Sequence, residues 1–106
     1  MVNDNRDDKA LSYRAKLMLL RAVSRLKLNI DKYSVEELVN IIKKDEDLKS
    51  KAVNELRRHL KVCLDACEAY RKKFLVTLND FFLSKAEAWL YEAEATSEAL
   101  EFLRKL

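Results

Sequence analysis

A chain of 106 residues has the length of one domain, taken here as 1–106, and can hold a core without metal or disulfide staples. Its 49% hydrophobic and 37% charged residues fit a folded globular protein and argue against disorder, while the small net charge of +3 hides an uneven distribution of charge along the chain. Gly and Pro are both absent, which excludes phosphate-cradling GxGxxG and GxxxxGK[ST] loops and tight hairpin turns.

The first predicted helix spans about Asp7 to Leu28, with Asp7 and Asp8 at its positive end and Asn29 as a left-handed cap. At 100° per residue, Leu11, Ala15, Met18, Leu19, Ala22, Leu26 and Ile30 share one side. Leu17, Leu20 and Leu28 share a second, flanked by basic residues. A helix apolar on two sides is central in a bundle or covered by a partner.

The second predicted helix is short, Ser34 to Lys44. Ser34 and Glu37 have capping-box spacing, with Tyr33 placed to staple against Leu38. Val35, Leu38, Val39, Ile41 and Ile42 supply its buried side. Lys43 and Lys44 suit its negative end, and Asp45, Glu46 and Asp47 then suit the start of the next helix.

The third predicted helix runs from about Asp47 to Leu78. One apolar stripe stays in register through Ala52, Val53, Leu56, Leu60, Cys63, Leu64, Cys67, Tyr70, Phe74 and Leu78. Continuation would put Lys85 on that stripe, whereas Ser84 with Glu87 makes another capping box. The expected break therefore lies between Asn79 and Ser84. The fourth helix then carries Ala86, Trp89, Ala93, Thr96, Leu100 and Leu103 as the seam of antiparallel packing. Tyr91, Ala95, Phe102 and Leu106 form a second side. The expected fold is an all-α four-helix bundle with a short second helix and a long third one.

Charge is segregated. From Lys9 to Ile30 all charged positions are basic: Lys9, Arg14, Lys16, Arg21, Arg25 and Lys27. From Ala86 to Leu103 all are acidic: Glu87, Glu92, Glu94, Glu98 and Glu101. Side-by-side packing of the first and last helices would let the two sets complement each other. Rows of cations can equally hold phosphates. On that reading Arg14, Arg21 and Arg25 join Arg71, Lys72 and Lys73 of the long helix. A helix-turn-helix unit over Ser34–Lys44 and Leu48–Leu60 would present Lys49, Lys51, Asn54, Arg57, Arg58 and Lys61. Its turn lacks Gly and carries three acids.

Catalytic chemistry is not expected. His59, Cys63 and Cys67 stand on successive turns spanning about 12 Å by helical rise, too far for one ion. Two of them could share a metal, but a half-buried His beside core cysteines is the simpler reading, with no metal and no cofactor. Buried thiols beside a single imidazole do not make an activated nucleophile. The chain reads as a non-enzymatic accessory subunit of a DNA- or RNA-handling complex, with no small-molecule substrate. The alternative is a pure protein-interaction or assembly module, as a homodimer or as a subunit, that uses Leu17, Leu20, Leu28, Trp89, Tyr91 and Phe102. Arginines that face outward together favour the first reading; arginines paired with Glu92–Glu101 favour the second.

No apolar run is long enough to cross a membrane. Cysteines one turn apart suit a reducing, cytoplasmic setting. Absence of Gln with abundant Lys and Glu is a thermophile tendency, although six Asn remain.

Overall fold

The computed structural model describes residues 11–26 and 32–106, and the expected helix start at Asp7, the Asn29 cap, and the positions of Leu28 and Ile30 lie outside them. Four helices are found among the described residues: α1 (Tyr13–Arg25), α2 (Val35–Lys44), α3 (Glu46–Thr77) and α4 (Asp80–Arg104). The all-α bundle with a short second and a long third helix is thus as the periodicity implies.

Side-chain caps set the helix starts in a chain without glycine. Ser12 Oγ accepts from Ala15 N–H and starts α1. Ser34 and Glu37 form the full capping box of α2, with Ser34 N–H donating to Glu37 at 2.8 Å and Glu37 N–H to Ser34 at 3.1 Å. Asp45 ends α2 and also caps α3, accepting from Leu48 N–H at 3.1 Å. A single residue thus serves as the whole corner.

The junction between the long helices falls at the Asn79 end of the expected interval. Helix α3 ends on Leu78, held left-handed at φ 56°, and Asn79 caps α4 by accepting from Phe81 N–H at 3.0 Å. Ser84 therefore lies inside α4, and its capping-box spacing with Glu87 is not used. Lys85, whose place on a continued stripe argued for a break, is exposed on α4 and places its ammonium 5.5 Å from the Phe81 ring centre. The break at Asn79 resets the register and so removes the conflict that the periodicity raised.

The main core sits at one end. Ala15, Met18, Leu19, Ala22 and Val23 of α1 meet Leu38 and Ile42 of α2, Ala52 and Leu56 of α3, and Ala95, Ala99, Leu100 and Leu103 of α4. Beyond it, α3 and α4 continue as an antiparallel arm, accounting for a longest dimension of 49 Å against 22 Å for the shortest. Cys63, Ala86 and Ala93 are buried in the arm seam, and Tyr70 stacks on Phe82 with ring centres 6.3 Å apart. No described helix is long and apolar enough to cross a membrane.

Candidate functional site

Most of the cations nominated for phosphate are engaged within the chain. Arg21 bonds Glu92 at 3.2 Å, and Arg25 lies 3.9 Å from Glu55. Arg14 stacks its guanidinium 5.5 Å from the Tyr91 ring centre. Ser12 adds two bonds to Glu98, at 2.6 Å from its N–H and 2.9 Å from its hydroxyl. The basic first helix and the acidic last one do lie together, as their charge segregation allows.

The long-helix cations behave similarly. Lys51 pairs with Asp47, Arg58 with Glu55, and Lys61 with Asp65. Arg71 forks onto Glu68 at 3.0 and 2.7 Å, and Lys72 lies 4.0 Å from the same carboxylate. These bonds hold the Glu68 carboxyl below the usual carboxylate range. Lys73 lies over the Tyr70 and Phe82 rings. Among the described residues, Lys49, Asn54 and Arg57 have no ion pair or side-chain hydrogen bond. Lys49 is half-buried, while Asn54 and Arg57 are exposed. The α2–α3 corner has a one-residue connection and its second helix is the 32-residue α3, packed along α4. That is a bundle corner rather than a free reading head.

Three chemically distinctive side chains converge where the arm leaves the core. His59 and Cys63 are one turn apart on α3, so both face the antiparallel α4. There Glu92 points back: its Oε2 is 2.5 Å from His59 Nε2 and 3.8 Å from Cys63 Sγ. The ligand-capable atoms of all three lie within 4.8 Å of one another. Arg21 reaches the same carboxylate oxygen from α1 and comes within 3.3 Å of His59 Nε2. A ring proton on Nε2 satisfies the short contact to Glu92, and Arg21 then donates to the carboxylate rather than to the ring. Thr96 Oγ1 donates to the Glu92 carbonyl at 2.8 Å, one turn further on. Cys63 is fully buried, and desolvation, followed by the Glu92 charge, pushes its thiol up to about 11.

Sequence reasoning placed His59 and Cys63 on successive turns but grouped Glu92 only with the acids of the last helix. Its only local signal was Thr96 one turn later; its partners are set by the register of α3 against α4. Cys67 is half-buried on the next turn and is not part of the cluster.

The proposed partner residues are divided. Leu20 and Phe102 pack against the core and Trp89 is half-buried in the arm seam, whereas Leu17 and Tyr91 are exposed; Leu28 lies outside the described residues. A further exposed apolar surface lies on the arm: Leu64, which the periodicity placed on the buried stripe, is exposed because that stripe is wider than the seam with α4, and it is joined by leucines that the periodicity did not single out. Leu64, Leu75, Leu83 and Leu90 are all exposed, and helical phase puts them on the face turned away from α1. The same face carries Arg57, Lys61 and Arg71 on α3 and Glu87, Glu94 and Glu101 on α4. Comparison of the chain with family models, curated proteins and solved structures yields no match.

Proposed function

We propose that this chain is a non-enzymatic assembly module that pairs with a second copy of itself through the arm face turned away from α1. The observation that carries the reading is a row of four exposed leucines, Leu64, Leu75, Leu83 and Leu90, on a two-helix arm that no other described element covers. Uncovered aliphatics repeated on one helical face are the mark of an interaction surface.

Charge complementarity selects a second copy as the occupant. The face is basic along α3 and acidic along α4. The Cys63–Glu92 and Tyr70–Phe82 contacts set the heights of the two helices. On that scale Lys61 is level with Glu94. A two-fold axis parallel to the arm sets α3 of one copy against α4 of the other at equal height, so Lys61 of each copy meets Glu94 of its partner. The result is a four-helix bundle built from two hairpins.

Sedimentation of the chain over a concentration series tests this. A reversible monomer–dimer equilibrium is expected, weakened more than about tenfold by Leu75→Glu or Leu90→Glu, with helicity unchanged because both side chains are exposed. Lys61→Glu weakens it and Glu94→Lys in the same chain restores it. A monomer at all concentrations overturns the reading.

One observation favours a second reading, an accessory subunit of a nucleic-acid-handling complex. Arg57, Lys61 and Arg104 surround a groove floored by Leu60, Leu64 and Leu100 at the base of the same face. Anisotropy of labelled duplex and single-stranded DNA across a salt series distinguishes the two. Phosphate contact gives steep salt dependence, with a slope that falls for Arg57→Ala with Arg58→Ala. Absence of binding at low salt removes this reading and leaves self-assembly.

A further inference from the structure

We propose that His59, Cys63 and Glu92 form a three-ligand site for a divalent transition metal of the zinc class. This goes beyond self-assembly and rests on a different part of the molecule. The donor set is one imidazole nitrogen, one sulfur and one carboxylate oxygen, a mixture that suits a borderline-soft ion and disfavours magnesium or calcium. The spacing is close to what an ion needs. Tetrahedral zinc with bonds of about 2.0–2.3 Å holds its ligand atoms roughly 3.3–3.6 Å apart. Here sulfur and carboxylate oxygen are 3.8 Å apart, and imidazole nitrogen and carboxylate oxygen are 2.5 Å apart, drawn together by a shared proton. Adjustments of about 1 Å or less at these two pairs admit the ion, within the reach of side-chain torsions.

The surroundings supply the other requirements of a metal site. The ligands come from two rigid helices, and Thr96 anchors the Glu92 carbonyl one turn away. A groove between α1 and α4, lined by Leu17, Met18, Ala88 and Tyr91, opens to solvent beside Glu92. On binding, the His59 ring proton passes from Nε2 to Nδ1 by exchange with solvent so that Nε2 can bond the metal, the Cys63 thiol gives up its proton to solvent, and sulfur bonds as thiolate. Arg21 is the opposing element. Its guanidinium sits on the same carboxylate oxygen, so it must swing away, which its half-exposed position allows. Arg21 thus holds the metal-free cluster together and weakens the affinity for a cation.

Anaerobic titration of the full chain with cobalt(II), followed by absorption, tests the site. One equivalent should produce thiolate-to-cobalt charge-transfer absorption and visible bands of low-symmetry four-coordination, and zinc should erase both. Cys63→Ser should abolish the charge-transfer band while Cys67→Ser leaves it intact. His59→Gln and Glu92→Gln should each weaken binding by at least about tenfold, and Arg21→Gln should tighten it severalfold. The last result separates a metal site from a salt-bridge cluster, which loses a partner when Arg21 is replaced. Circular dichroism confirms that each variant is folded; should Cys63→Ser fail to fold, the His59 and Glu92 variants read the same band. No charge-transfer band with folded wild-type chain at stoichiometric cobalt, or a band that follows Cys67 instead of Cys63, overturns the proposal.

Discussion

Glu92 joins three helices among the described residues, receiving Arg21 and His59 and facing Cys63. Replacing it by Gln keeps the shape but removes the charge that both bases face, and is expected to lower stability of the metal-free chain by about 1 kcal/mol in urea denaturation. Cys63 carries a separate signature. Its thiol pKa is raised from 9.0 to about 11, so folding favours the protonated form. The resulting stabilisation is fully present below about pH 9 and is lost as pH rises toward 11, because the unfolded thiol ionises first. Unfolding followed at pH 8 and pH 10.5 in the presence of chelator should therefore show an alkaline loss that Cys63→Ala removes. At pH 8 the thiolate of Cys63 is about a hundredfold scarcer than that of an unperturbed cysteine. Iodoacetamide should accordingly modify the half-buried Cys67 first, with Cys63 labelled only on unfolding, as peptide mass mapping can read.

At the scale of elements, the corners are built from caps. Ser34→Ala removes half of the α2 capping box and should cost about 1 kcal/mol in chemical denaturation. Leu78 is the opposite case, a bulky residue held at φ 56° and largely exposed, so it carries the left-handed penalty without packing in return. Leu78→Gly relieves roughly 1–2 kcal/mol of that penalty against about 0.5–1 kcal/mol of glycine entropy. A net gain of up to about 1 kcal/mol is expected, and a loss would mean that Leu78 is covered in solution. The capping box of α2 was legible because it is complete within four residues. The α3–α4 junction was legible only as the interval from Asn79 to Ser84, because Ser84 and Glu87 offer capping-box spacing as well, and the choice of Asn79 goes with Phe82 reaching Tyr70 across the hairpin. That preference is a packing effect, which local spacing does not contain.

For the molecule as a whole, stability is unevenly distributed. The core joins all four helices at one end, while the arm has only its own seam. Leu56→Ala at the core should cost about 2–5 kcal/mol, whereas Leu75→Ala on the arm should be near neutral for folding and be felt only in self-association. Hydrogen exchange should grade along α3, slow near Leu56 and fast toward Thr77. Quenching of that gradient at high concentration is a further expected outcome of pairing.

What the sequence by itself determined is the set of properties that follow from local chemistry and period. These are the all-helical class, the apolar side of α1, the short capped α2, the length of α3, and the segregation of bases from acids. The tertiary structure alone decided which arginines remain available, since Arg21 is spent on Glu92 and Arg14 on Tyr91. It also decided that Glu92 joins His59 and Cys63, residues more than twenty-five positions away, and that the leucines of the arm stay uncovered. Helical period fixes which residues share a face, but the register and crossing of one helix on another fix which faces meet. Those depend on the shapes of side chains distant in sequence, where a one-turn slip would have set Thr96 or Ala88 beside His59 in place of Glu92.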